Sequence, residues 1–325
     1  MDEIKALNDS TGQGINDIVL PTLKIFAPLL FKNKDAIFSI PRKEEPYGPH
    51  PRQKLDVYLP LQHSSSSPIL VFFYGGGFVR GDKIEPHLPG ELVYHNLGSF
   101  FAKRGITTIV ADYRRVNSEL GGEDAVFPSG GEDMSLVLKW LEGFNHKGSG
   151  KVIAMGNSAG GLHLSTFLLA PQFLEQRKSL IAGQNGIKLV GAINLGVPFH
   201  FKAGVVARKE PLERYYGGAE GIAENCPYGL FEAISRTGKS REETAVPKLL
   251  LLLGEFDPVD EIIEPVRDFA ALMGKTWGPG FDFWTTQGHN HISPPMALMT
   301  GDVEGEKWGE DVAKWIQGLA GTSKS

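Results

Sequence analysis

Six short, almost uninterrupted apolar runs constrain the fold of this chain more than any other feature. The clearest is Ile69-Leu70-Val71-Phe72-Phe73-Tyr74, and similar runs recur at Thr107 to Ala111, Val152 to Met155, Leu189 to Leu195, Leu249 to Leu253 and Phe281 to Trp284. A run without polar alternation is expected of a strand covered on both faces, as in a parallel sheet flanked by helices. Helical patterns fall between the runs, at Leu92 to Lys103, Ala159 to Leu169, Ile262 to Met273 and Val312 to Leu319. Another helix is expected from Ser129-Gly130-Gly131-Glu132, which reads as a capping box opening Leu136, Leu138, Trp140 and Leu141. Earlier, Leu55, Val57 and Leu59 alternate with polar neighbours, the pattern of a half-buried strand. The alternation of strands and helices predicts an α/β class with a mostly parallel sheet and helices on both faces.

Two stretches do not fit the alternation. Residues 1–50 carry Val19, Leu23, Phe26 and Leu30 at spacings of one helical face, despite Pro28. Residues 199–245 lie between two core runs and mix Phe199, Phe201, Tyr215, Tyr216, Tyr228 and Phe231 with polar segments. Each reads either as ordinary packing or as an element covering a pocket. The expected organisation is an N-terminal cap arm over 1–50 and a catalytic unit over 51–325, with a cap insertion at about 199–245.

Charge and composition remove several function classes. The 33 Lys and Arg against 38 Asp and Glu give a formal charge of −5, and no like-charge run reaches five residues. Neither a nucleic-acid groove nor a polybasic membrane patch is expected. Cys226 is the single cysteine, so an intrachain disulfide framework and a cysteine-based zinc site are both excluded. The start Met1-Asp2-Glu3-Ile4-Lys5 lacks the pattern of a secretory signal. The apolar stretch Ile18 to Phe31 is too short and too broken by Pro21, Lys24 and Pro28 to span a bilayer, which takes about 20 apolar residues. A cytoplasmic location is the expectation.

Chemistry concentrates at the ends of the apolar runs. Gly156-Asn157-Ser158-Ala159-Gly160 follows one of them and precedes a helical pattern, matching G-x-S-x-G in its strand-turn-helix context. A serine at the tip of so sharp a turn is forced outward, and the crowded backbone demands flanking glycines. Tyr74-Gly75-Gly76-Gly77-Phe78 follows another run. Missing side chains there let backbone N–H groups approach a substrate oxygen and stabilise an oxyanion. Neither glycine cluster is followed by the Gly-Lys-Ser/Thr of a phosphate loop. A serine hydroxyl needs an imidazole to take its proton and a carboxylate to orient that imidazole. Leu249 to Leu253 runs into Gly254-Glu255-Phe256-Asp257-Pro258-Val259-Asp260, and the last run leads into Gln287-Gly288-His289-Asn290-His291. The order serine, acid, histidine is that of an α/β-hydrolase.

The chain resembles the α/β-hydrolases of the hormone-sensitive-lipase and arylformamidase-like (BD-FAE-like) esterase group over roughly residues 52–318. The resemblance rests on Lys54-Leu55-Asp56-Val57-Tyr58-Leu59-Pro60, the segment from Tyr74 to Asp82, Asp112-Tyr113-Arg114, Phe127-Pro128, the Ser158 turn and Asp257-Pro258-Val259. It departs from the lipase-like branch at Tyr74, where that branch has His, and at His291-Ile292-Ser293, where that branch shows His-Gly-Phe. Carboxylesterase relatives also carry Tyr at the first position. The resemblance implies Ser158 as nucleophile, Asp257 as the orienting acid and the N–H groups of Gly76, Gly77 and Ala159 as oxyanion donors. Related esterases show Gly, two residues, then the catalytic His, which favours His291 over His289.

Other candidates read as structural. His163 is expected as a hydrogen-bonded core residue, and Glu255 and Asp260 as solvated or structural neighbours of Asp257. Asp133 is expected to brace its own helix. His50, His63, His87, His95, His146 and His200 lack chemical context, and His289-Asn290-His291 lacks the further ligands of a metal site. The expected function is a serine hydrolase, a carboxylesterase cleaving an ester or a related small acyl compound through an acyl-enzyme. No cofactor or metal is expected, and the expected partner is a small-molecule acyl substrate, with homodimerisation left open. Acyl transfer or cyclisation at the same site, and a non-catalytic binding role, are the alternatives.

Overall fold

All six apolar runs enter one eight-stranded sheet in the computed structural model, which describes residues 1–62, 64–85, 87–88, 90–116, 125–146, 148–202 and 206–321. Three helices come first: α1 (Asp2–Thr11), α2 (Ile15–Lys32) and α3 (Lys34–Phe38). Then follow β1 (Arg42–Pro46), β2 (Lys54–Tyr58), β3 (Ile69–Phe73), α4 (His95–Ala102), β4 (Thr107–Ala111), α5 (Ser129–Gly143), β5 (Lys151–Asn157) and α6 (Ala159–Leu169). After α7 (Leu174–Ala182) and β6 (Lys188–Leu195), an insertion forms α8 (Val206–Tyr216), α9 (Ala219–Asn225) and α10 (Pro227–Thr237). The chain closes with β7 (Lys248–Phe256), α11 (Glu264–Trp277), β8 (Phe281–Asn290), α12 (Ser293–Ala297) and α13 (Val303–Ala320).

The strand order is β1-β2-β4-β3-β5-β6-β7-β8. β2 pairs antiparallel with β1 and β4, and every later pair is parallel. α4, α12 and α13 contact one another on one face, while α5, α7 and α10 gather around α6 on the other. β3 and β4 are buried along their whole length, as uninterrupted apolar runs covered on both sides must be.

Several sequence expectations are corrected here. β2 is buried from Leu55 to Tyr58 rather than half-buried, because Asp56 is paired inside the protein with Lys83 at 2.9 Å. β1 has no apolar pattern and sits at the sheet edge, where charges such as Lys43 and Glu44 blunt an exposed rim. The boundary expected at residue 50 therefore falls between two paired strands. No side-chain cap closes the start of α5. Glu132 instead pairs with Arg114 at 2.9 Å, and a charge-assisted bond outcompetes a lone N–H. Asp133 does not brace its own helix. It accepts from Gln53 Nε2 at 2.8 Å and from Arg114 N and Nε at 2.9 Å, tying α5 to the segments around β2 and β4.

α2 runs unbroken through Pro21 and Pro28 and buries Leu23, Phe26 and Leu30. Among the described residues no helix is long and apolar enough to cross a membrane.

Candidate active site

Ser158 occupies the turn between β5 and α6 with φ +50° and ψ −118°. Only crowding from both sides holds a non-glycine residue there. A Cβ on Gly156 would lie 2.5 Å from the Gly160 carbonyl oxygen, and one on Gly160 would lie 2.2 Å from the Phe73 carbonyl oxygen. The glycines let the turn close that tightly, and the tightness lifts Ser158 out of the sheet.

The structure brings Ser158, Asp257 and His291 together. His291 Nε2 lies 3.0 Å from Ser158 Oγ, and its Nδ1 lies 2.8 Å from Asp257 Oδ1. Asp257 follows β7, and its other oxygen accepts from Gly254 N at 2.7 Å. His291 follows β8 in a turn shaped by Asn290, whose Oδ1 accepts from Ile292 N at 3.0 Å and Ser293 N at 2.9 Å. Asn290 Nδ2 donates to Thr22 Oγ1 at 2.9 Å, so α2 fastens this turn from above. Asp257 and His291 are buried. With a proton on Nδ1, the imidazole donates to Asp257 and offers Nε2 as acceptor to the serine O–H. Sequence reasoning missed Gly196, at the end of β6, where a Cβ would stand 3.1 Å from the His291 ring. A lone glycine past a strand carries no signal of that contact.

The segment Gly75–Gly81 faces Ser158 across the site. A Cβ on Gly75 would meet Ser158 Cβ at 3.1 Å. Gly76, at φ +150°, turns its carbonyl to accept from Val79 at 3.3 Å and Arg80 at 2.9 Å. The N–H groups of Gly76, Gly77 and Ala159 enter no backbone hydrogen bond among the described residues. Ala159 N–H stands at a helix start, where no intrahelical acceptor exists and anions are favoured. The segment is anchored from below. Tyr74 donates its hydroxyl to Asp112, Arg52 donates to Asp112 at 2.6 Å and to Gly81 O at 3.3 Å, and Tyr113 donates to Tyr74 O at 2.9 Å. The departure at Tyr74 thus fills a buried, fully bonded position.

These elements enclose a cavity of about 580 Å³. Its lining includes Val19, Leu20 and Leu23 of α2 together with Arg80, Arg208, Ile292 and Met296. A larger groove of about 960 Å³ runs between β8 and α13, lined by Trp284, Trp308 and Trp315. Its histidine, His289, has both nitrogens engaged, with Ser293 Oγ at 2.9 Å and Gly305 O at 3.1 Å. The smaller cavity, where Ser158 Oγ lies 3.0 Å from His291 Nε2, is therefore the candidate site. Among the described residues no three His, Cys, Asp or Glu side chains converge as a metal site.

The remaining candidates lie outside the cavity or in its wall. His163 is buried, faces the Tyr215 hydroxyl at 3.3 Å and packs against Phe78 and Tyr113. Glu255 accepts from Gly288 N at 2.7 Å, His95 bonds Ile40 O at 2.9 Å, and His200 pairs with Asp268 at 3.0 Å. Asp260 is exposed, and His63 lies outside the described residues.

Burial pushes His163 down to about 3, with the Arg114 charge adding to it, and pushes His289 down to about 4. An unfolded histidine titrates near 6.5. Below that pH the unfolded chain binds protons that these folded sites refuse, so stability present above about pH 6.5 is lost as pH falls toward 4. Each group contributes about 1.4 kcal/mol per pH unit inside that window. His163→Asn should therefore flatten the fall in urea-unfolding free energy between pH 6 and pH 4 by about one proton. An unchanged slope would remove His163 from this account.

Residues 55–184 match the family model BD-FAE. The chain has an α/β-hydrolase fold, and over that stretch it is similar to the BD-FAE family. A probable isoprenylcysteine alpha-carbonyl methylesterase of Arabidopsis thaliana is 29% identical over 137 residues, 42% of this chain and 30% of that protein. A probable isoprenylcysteine alpha-carbonyl methylesterase of Oryza sativa subsp. japonica is 28% identical over 132 residues, 41% of this chain and 29% of that protein. The chain thus spans less than a third of the length of these curated relatives. Among solved structures, esterase B from Lactobacillus rhamnosis superposes with a TM-score of 0.65 at 14% identity, covering 99% of this chain and 97% of that one. Thermogutta terrifontis esterase 2 phosphonylated by sarin gives 0.62 at 18% identity, with 88% and 97% covered. At these identities the structural likeness concerns the fold.

Proposed function

We propose that this α/β-hydrolase is a carboxylic ester hydrolase that works through Ser158, His291 and Asp257. The carrying observation is the continuous hydrogen-bond relay from Ser158 Oγ through His291 to Asp257, with Ser158 and His291 lining a mostly apolar cavity. The methylesterase names of the relatives and the esterase names of the structural neighbours support the same reading.

Ser158 Oγ bonds to the ester carbonyl carbon while its proton passes to His291 Nε2. The carbonyl electron pair moves onto oxygen, where the N–H groups of Gly76, Gly77 and Ala159 receive it. One such donor is worth about 10²–10³ in rate. As the C=O bond re-forms, the alcohol oxygen leaves with the proton from His291, and the acyl group stays on Ser158. Water then repeats the addition with His291 as base, releasing the acid and restoring the serine O–H. Asp257 keeps its hydrogen bond to His291 Nδ1 throughout and holds the imidazole tautomer. Residues 1–50 and the 199–245 insertion act as the cap: α2 and α8 supply cavity wall, and an enclosed wall excludes water and shapes an apolar pocket.

The test is a fluorophosphonate probe on the folded protein, with the adduct located by peptide mass. The adduct should sit on Ser158. An adduct on another residue, or none with the fold intact by circular dichroism, overturns the assignment.

A further inference from the structure

Arg208 is a guanidinium at the cavity wall with only part of its bonding used. Its Nε donates to Glu261 at 2.6 Å, which fixes the side chain, while Nη1 lies 3.6 Å from the position a Cβ on Gly77 would take. The free edge of the fork thus stands beside the segment proposed to receive the oxyanion. Glu261 does not line the cavity, so the cavity meets the cation and not its counter-ion. Arg80, which is exposed, also lines the cavity. Among the described residues the one carboxylate in the lining is Glu85, whose Oε1 already faces His87 N at 3.0 Å and His87 Nδ1 at 2.7 Å. The same cavity is also lined by Val19, Leu20 and Leu23 of α2. The lining thus combines apolar side chains that suit hydrocarbon with cations that suit an anion.

We infer that Arg208, aided by Arg80, selects ester substrates that carry a carboxylate in addition to the scissile ester. This inference rests on the hydrolase reading of Ser158 and names the substrate class for that site. A planar fork held at one nitrogen and free along its other edge suits a carboxylate, which accepts two parallel N–H bonds from arginine. The apolar side chains take the hydrocarbon linker. A latch between α8 and the segment before α11 is the structural role that the Arg208–Glu261 pair could fill instead, and the experiment separates the two.

The monomethyl esters of succinate, glutarate and adipate are compared with uncharged isosteres in which a branched methyl pair replaces the carboxylate, following acid release. The wild-type protein should show a higher kcat/KM on at least one anionic ester than on its isostere. Arg208→Met should lower that ratio about 10- to 100-fold, the range of a charge-assisted hydrogen bond, and Arg208→Lys should restore part of it. A merely structural latch would lower both members of each pair alike and leave the ratio unmoved, which overturns the inference. So does a wild-type preference for every neutral isostere. Should Arg208→Met fail to fold, Arg208→Met with Glu261→Gln removes both charges and is read the same way. The two readings fail separately. If no ester is turned over and Ser158 takes no fluorophosphonate, the hydrolase reading falls, and monomethyl glutarate binding to the folded protein by calorimetry judges the anion site. Binding weakened at least tenfold by Arg208→Met sustains the site, and equal or absent binding overturns it.

Discussion

Ser158→Ala should leave a folded protein whose ester turnover is lower by about 10⁴-fold or more, since loss of the nucleophile costs about as much as loss of the whole relay. The fold is expected to survive for a local reason. The turn is held by Gly156, Gly160 and the Ser158 N–H bond to Leu195 O at 2.9 Å, none of which involves the hydroxyl. Alanine meets the same positive φ that serine already tolerates, so the backbone strain is shared by both proteins. What disappears is the O–H facing His291 Nε2 at 3.0 Å. The remaining rate over water would come from oxyanion donors and binding alone. The measurement is kcat/KM on one activated ester, with circular dichroism and a melting curve as controls. A variant that keeps more than a tenth of the wild-type rate with its fold intact removes Ser158 from the role of nucleophile.

How far the sequence discloses such a site depends on whether the physics is local. Ile69 to Tyr74 reads as a buried strand because every side chain must be apolar when both faces are covered. The Ser158 turn reads for the same kind of reason, since its glycines answer to atoms one strand away and four residues along. Asp257 and His291 are legible as a pair only through strand order, which places the ends of β7 and β8 side by side. β1 is hidden because an edge strand needs no apolar face, and the charges that protect it imitate a loop. The start of α13 is hidden by Gly305 and Gly309. A Cβ at Gly309 would meet Leu298 at 2.6 Å and Phe100 at 2.8 Å, so close packing outweighs helix propensity there. Ser129 and Glu132 form a correct local motif that loses to Arg114, a residue no local window contains. Arg208 is beyond reach altogether, because its meaning lies in Gly77 and Glu261, far away in the chain.

The last expected result concerns two histidines that local sequence hardly distinguishes. His291→Gln should be nearly inactive, down by about 10³-fold or more, while His289→Gln keeps at least a tenth of the rate. The difference is one of direction. β8 continues through Asn290, so His289 still belongs to the strand and His291 is the first residue free of it. His289 turns away into the protein, where its two nitrogens face Ser293 Oγ and Gly305 O and burial holds it down at about 4. Its bonds tie the end of β8 to the starts of α12 and α13, so its replacement is a stability defect. Losing one buried hydrogen bond costs about 1–3 kcal/mol, part of which glutamine can recover. His291 turns the other way, and both of its nitrogens face the proposed reacting groups, Asp257 Oδ1 and Ser158 Oγ. Glutamine can accept from the serine with its carbonyl oxygen but cannot hold a proton through the reaction cycle. The two variants should therefore separate on different axes: His291→Gln in kcat with a near-normal melting temperature, His289→Gln in melting temperature with a substantial kcat. The reverse assignment of rates would move the general base to His289 and leave the contact between His291 and Ser158 without a catalytic role.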